Sequence, residues 1–179
     1  EAEWRGLIAE VRAVTEAHLT YSANWDGVER VPFWDALDVI GVQAYFPLVA
    51  EAGPDGIPSS ADLRAAWQPH LARLEALSER TGRDVFFAEL GYDRSETTHE
   101  RPWIGAPRRT TPSAAAVTLQ LRCLDVAFDV FEEQADWLHG GFLWKWFVPG
   151  SRRGGSTDFQ LDNEAARGLL SRRWVTASR

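Results

Sequence analysis

The residue whose setting most suggests chemistry is Glu89. It closes the apolar run Val85-Phe86-Phe87-Ala88 and is followed by Leu90-Gly91-Tyr92. A carboxylate at the end of a buried strand can attack as a nucleophile, move a proton, or simply pair with an arginine. Other strand ends carry Asn24 and Trp25, Tyr45, and Trp144 and Trp146, which flank the chain's only lysine, Lys145. Each has a second reading. Asn24 suits a turn before Asp26-Gly27, Tyr45 a core position with its hydroxyl satisfied, and the tryptophans ordinary packing. The chain holds 9 tryptophans. Most are expected in the core, the commonest use of an aromatic, but a surplus also suits a groove where sugar C–H faces stack on rings.

Other chemistries find little support. Cys123 is the single cysteine, so no internal disulfide can form, and its helical position without a histidine partner argues against a catalytic thiol. His18, His70, His99 and His139 never fall at metal-ligand spacing, and neither a metal nor an organic cofactor is expected. Gly150 to Gly155 resembles a phosphate-cradling loop only in its glycines and lacks the Lys-Ser/Thr ending.

The elements that must position these residues follow from periodicity. Trp4, Leu7, Ile8, Val11 and Val14 mark one helix face over Glu3 to Thr15. A second helix, capped by Ser60, runs to about Arg80 with Leu63, Trp67, Leu71, Leu74 and Leu77 inward, and Pro69 should kink or split it. A third spans Ser113 to about Trp137, and a fourth Asn163 to Trp174. Between them lie near-continuous apolar or β-branched runs, expected as parallel strands near 19–25, 38–46, 84–90 and 140–146. Alternation along the third strand would put Val85, Phe87 and Glu89 on one face. The long connection from Tyr92 to about Thr111 has the length of a functional loop.

Strands alternating with helices define an α/β fold of parallel units. A full (β/α)8 barrel takes roughly 250 residues. This chain has 179, about half a barrel's worth of units, with a small doubly wound sheet as the alternative. In either fold the carboxyl ends of the strands carry function. With 45% hydrophobic residues the chain can bury a real core. Its net charge of −7, without a basic run, argues against nucleic acid and anionic membranes as partners. No apolar stretch approaches the roughly 20 residues of a membrane helix. The sequence contains no methionine and opens inside a helical pattern, so a piece of a longer protein is expected, with any leader peptide upstream and the compartment left open.

Four segments carry a resemblance when taken in order: Leu19-Thr-Tyr-Ser-Ala-Asn-Trp25, Asp38-Val-Ile-Gly-Val-Gln-Ala-Tyr-Phe-Pro-Leu48, Phe87-Ala-Glu-Leu-Gly-Tyr92 and Gly141-Phe-Leu-Trp-Lys-Trp146. Together they resemble the C-terminal half of glycoside hydrolase family 113, the β-1,4-mannanase-like (β/α)8 barrels that hydrolyse with retention. The resemblance implies that residues 1–179 are one partial barrel domain, strands 5 to 8 with their helices, truncated at the N-terminus. It implies an oligo- or polysaccharide substrate and, as the other partner, the missing N-terminal half of the barrel. Glu89 would match the catalytic nucleophile and Tyr45 the tyrosine that orients it. Trp144 or Trp146 would match the platform under the sugar at the cleavage point, and Asn24 and Trp25 would lie beside the substrate groove. The family's general acid/base is a Glu ending strand 4, which this chain does not reach; Glu1 and Glu3 open a helix instead. The chain alone is therefore expected to be a very poor glycosidase. A non-catalytic carbohydrate-binding or structural barrel, such as a cell-wall or phage-tail component, is the alternative.

Overall fold

The computed structural model describes residues 1–105, 111–147 and 158–176. Helix α1 spans Ala2–Arg12, β1 Ser22–Asn24, β2 Ile40–Gln43, α2 Ser60–Thr81, β3 Val85–Leu90, α3 Ala114–Glu133, β4 Leu138–Leu143 and α4 Glu164–Thr176. Two short 3-10 turns, Val28–Arg30 and Trp34–Ala36, lie between β1 and β2. The strands form one parallel sheet in the order β1-β2-β3-β4. This is the expected half of a (β/α)8 barrel: consecutive strands neighbour each other, and the helices between them cover one face of the sheet.

The covered face is built from alternate residues of the strands. Ile40, Val42, Ala44, Phe46, Val85 and Phe87 are buried against Leu63, Trp67, Leu71 and Leu74 of α2 and Leu119, Cys123 and Leu124 of α3. Phe87 stacks on Trp67 at 6.0 Å and meets Phe131 of α3 at 5.5 Å. Burial pushes the Cys123 thiol well above its ordinary range, so it is no thiolate nucleophile. Arg64 of α2 and Arg173 of α4 both reach Asp129 of α3, at 3.1 and 2.6 Å, and tie the three helices together.

Several boundaries differ from the sequence expectation. Ser59 rather than Ser60 caps α2: its hydroxyl accepts the Asp62 N–H at 3.2 Å. Pro69 does not split α2, which runs unbroken to Gly82, where a φ of +64° closes it. Pro69 is exposed, so water can serve the carbonyl that its missing N–H leaves free. Helix α3 stops at Glu133 because residues 134–137 turn back, with the Trp137 and Leu138 N–H groups both bonded to the Gln134 carbonyl. Strand β4 consequently begins two residues before the expected Gly140 and ends at Leu143.

The tryptophans also depart from the expected core role. Trp34 and Trp67 are buried, but Trp4, Trp103, Trp144, Trp146 and Trp174 are each 40% exposed or more. The glycine run Gly150 to Gly155 lies outside the described residues, as does part of the Tyr92–Thr111 connection.

Candidate active site

The site is created by a break in strand pairing. Ile40, Gly41 and Val42 pair one to one with Val85, Phe86 and Phe87, but the next residue, Gln43, pairs with Glu89. Ala88 is the extra residue of a β-bulge. Strict alternation would have kept Glu89 on the side of Val85 and Phe87. The bulge instead turns it to the open face, where it meets Gln43 and Tyr45, the residues that alternate with buried Val42, Ala44 and Phe46. The expectation that Val85, Phe87 and Glu89 share a face is therefore wrong, and the error is one residue of register.

On the open face Tyr45 Oη donates to Glu89 Oε2 at 2.6 Å. Gln43 Nε2 makes a longer contact of 3.4 Å with Glu89 Oε1. The first is a short, charge-assisted bond. Burial, reinforced by this carboxylate, pushes the Tyr45 hydroxyl well above its ordinary range, so it remains a donor. The Ala44 N–H also bonds to the Glu89 carbonyl at 2.7 Å, which fixes the backbone beneath the pair. The result is a half-buried carboxylate with both oxygens engaged from one side, oriented for a nucleophile or proton carrier.

The end of β4 closes on this pair. The Trp144 N–H bonds to the Leu90 carbonyl at 2.7 Å. A Cβ added to Gly91 would lie 2.2 Å from the Trp144 carbonyl oxygen and 3.1 Å from Trp144 Cβ, so only glycine admits this approach. The Trp144–Lys145 peptide is cis. Phe159 completes the wall: its carbonyl accepts the Lys145 N–H at 3.0 Å, and its ring stands 6.1 Å from that of Tyr45.

The other site candidates separate. Trp144 is brought to the end of β3, whereas Trp146 lies over Arg167 of α4, at 5.6 Å. Asn24 pairs with Gln43 and so stands in one row with Gln43 and Glu89 across three strands. Its amide donates to Asp26 at 2.8 Å, which is the turn-forming contact. Trp25 turns from the row and packs against Phe46, His70 and Trp103. Gln43 and Phe159 were missed from sequence. The two-residue spacing of Gln43 and Tyr45 could have found the first; Phe159 arrives from a distant loop without a local signal. Among the described residues no group of three or more His, Cys, Asp or Glu side chains could hold a metal ion.

A parallel sheet of consecutive strands, with a hydrogen-bonded carboxylate and a tryptophan at its carboxyl end, has the architecture of half a (β/α)8 barrel. The chain belongs to glycoside hydrolase family 113, whose sequence profile matches residues 1–157. Among solved structures it is similar to the family 113 β-mannanase AaManA of Alicyclobacillus acidocaldarius in complex with ManMIm, at 25% identity and a TM-score of 0.73, covering 98% of this chain and 50% of that one. A family 113 β-1,4-mannanase is similar at 25% identity and a TM-score of 0.74, covering 100% of this chain and 52% of that one. A complex of such a mannanase shares the fold at 23% identity and a TM-score of 0.75, covering 98% and 51%. The chain thus spans about half the length of these structures. No curated protein sequence matches it.

Proposed function

We propose that the chain is the nucleophile-bearing part of a retaining hydrolase of β-linked polysaccharide, probed best with β-1,4-mannan. The observation that carries this reading is the 2.6 Å bond from Tyr45 to Glu89 at the carboxyl end of the sheet. In double displacement, a Glu89 oxygen bonds to the anomeric carbon as the glycosidic C–O bond breaks, and the leaving oxygen takes a proton from a second carboxyl group. Water then hydrolyses the glycosyl-enzyme, activated by that second group acting as base. Retention requires the two carboxyls about 5–5.5 Å apart. The second is expected from the part of the barrel that this chain does not span. Tyr45 and Gln43 hold Glu89 in its attacking orientation, and Trp144 offers a flat face to the sugar ring.

In the full-length protein, Glu89→Gln should lower kcat on β-mannan oligosaccharides about 10³-fold or more. Covalent labelling by a 2-fluoro-mannoside should vanish while oligosaccharide binding persists. Turnover at the wild-type rate would overturn the reading. A second reading, a carbohydrate-binding barrel without catalysis, draws on the exposed tryptophans and on the single carboxylate of the pair; it requires that the wild-type protein bind the same oligosaccharides without hydrolysing them.

A further inference from the structure

We propose that Phe159 is a positioning residue for the nucleophile: its ring stands edge-on to Tyr45 and keeps the Tyr45 hydroxyl on Glu89. This rests on the hydrolase reading above for what Glu89 does. The two ring centroids are 6.1 Å apart at 76° between planes, the T-shaped arrangement that aromatic pairs prefer. Among the described residues Phe159 is the one ring in contact with Tyr45. Tyr45 is half-buried on the open face, outside the core that α2 and α3 cover. A tyrosine side chain turns about two bonds, so a hydrogen bond at its tip leaves the plane of the ring to be set by a neighbour.

Phe159 is itself fixed before any substrate arrives. Its ring is 9% exposed and lies against the backbone past β3: a Cβ on Gly91 would come within 3.1 Å of Phe159 Cδ1, and one on Gly105 within 3.8 Å of Phe159 Cε2. The backbone from Asp158 to Leu161 is bonded to the chain leaving β4. The Lys145 N–H donates to the Phe159 carbonyl at 3.0 Å, and the Leu161 N–H to the Lys145 carbonyl at 3.2 Å. Lys145 adds a latch. Its Nζ lies 3.4 Å from Asp158 Oδ1, which also accepts the Phe159 N–H at 2.7 Å. The same ammonium sits 5.4 Å from the Trp144 ring and 5.1 Å from the Phe147 ring, within reach of cation–π attraction. Gln160 is tied on both sides, its side chain by Arg94 at 2.9 Å and its carbonyl by the Asn163 amide at 3.0 Å.

One residue thus joins the ends of three strands. Tyr45 follows β2, Gly91 follows β3 and Lys145 follows β4, and Phe159 meets all three. Without the ring, a gap opens beside Tyr45 into which the phenol can turn, and its hydroxyl then exchanges Glu89 for water. The carboxylate stays in place on its own backbone, where the Glu89 carbonyl holds the Ala44 N–H, but it loses the bond that orients it. A ring 9% exposed offers substrate almost no surface, so the effect falls on the chemical step and not on sugar affinity.

The test uses the full-length protein and Phe159→Leu, which keeps apolar bulk without a ring edge. On β-1,4-mannan oligosaccharides kcat should fall about three- to tenfold, with KM changed less than about twofold. In a Tyr45→Phe background the same substitution should cost under about twofold, because no hydroxyl is left to position. Asp158→Ala, which cuts the latch and leaves the ring, should lower kcat in the same direction and by less, again only when Tyr45 is present. A direct reading comes from nuclear magnetic resonance of protein whose tyrosines are isotopically labelled at the ring carbon that bears the hydroxyl. The Tyr45 signal, assigned by its loss in Tyr45→Phe, should move in Phe159→Leu in the direction in which Glu89→Gln moves it. An unmoved signal, a loss mainly in KM, or equal losses of kcat with and without the Tyr45 hydroxyl would overturn the positioning role. If the signal moves as stated while Glu89→Gln turns over substrate at the wild-type rate, the contact stands and the hydrolase reading falls.

Discussion

The two faces of the sheet are made from the same strands and meet opposite fates. On the helix side Ile40, Val42, Phe46, Val85 and Phe87 are 0–1% exposed and locked among the side chains of α2 and α3. On the open side Gln43, Tyr45 and Glu89 are half-buried and held by two hydrogen bonds, while Phe142 is 69% exposed and, among the described residues, has Phe86 as its one ring contact, at 5.0 Å. One face is secured by many interchangeable contacts. The other depends on a few directional ones that nothing else replaces. Stability and chemistry should therefore be separable by substituting alternate residues of a single strand.

The sharpest break of that comparison is Phe87→Ala. Removing a fully buried ring between Trp67 and Phe131 should cost about 3–5 kcal/mol of folding stability, measured by urea unfolding. A loss below 1 kcal/mol would mean that the covered face is not the structural one. Tyr45→Phe, on the opposite face, should leave the urea midpoint almost unchanged. Its effect is on rate: losing the bond to Glu89 should lower kcat/KM about ten- to thirtyfold in the full-length protein, well short of the effect of Glu89→Gln. A thirtyfold loss accompanied by an equal loss of stability would merge the two faces and sink the distinction.

Acid provides the mildest probe. His70 and His99 both lie behind the strand ends rather than in the row of Glu89, and burial holds both imidazoles below the ordinary range. The unfolded chain takes up protons near pH 6.5, before these folded imidazoles do, so their contribution to stability is complete above that pH and is lost as pH falls through their lower folded pKa values. The melting temperature should decline by a few degrees from about pH 6.5 downward, and His99→Gln should flatten part of the decline. A melting temperature that rises on acidification would contradict the burial of these rings.

What the sequence disclosed follows the same division. The strand centres and the helix faces were legible, because hydrophobic periodicity is a property of the covered face. So was the end of the sheet at which Glu89 and Tyr45 meet. The direction of Glu89 was not, since a bulge at Ala88 leaves no mark in a run of apolar residues, and one extra residue reverses everything after it. Trp25 and Trp103 could not be paired from sequence because their contact depends on how a long connection folds back over β1. Pro69 was misjudged for a local reason: its cost depends on whether the freed carbonyl can reach water, and only the fold decides that.

The order β1-β2-β3-β4 is also the order in which the strands are synthesised. Each strand's partner is the strand made just before it, so a chain emerging from the ribosome at about 5–20 residues per second always meets an edge that already exists. No strand has to wait for a later one to be placed between its neighbours. Strand β3 pairs with β2, already made, and β4 with β3, and the end of β4 supplies Trp144. Glu89 and Tyr45 are thus both synthesised before Trp144, and the aromatic side of the pocket is the last part of this sheet to leave the ribosome.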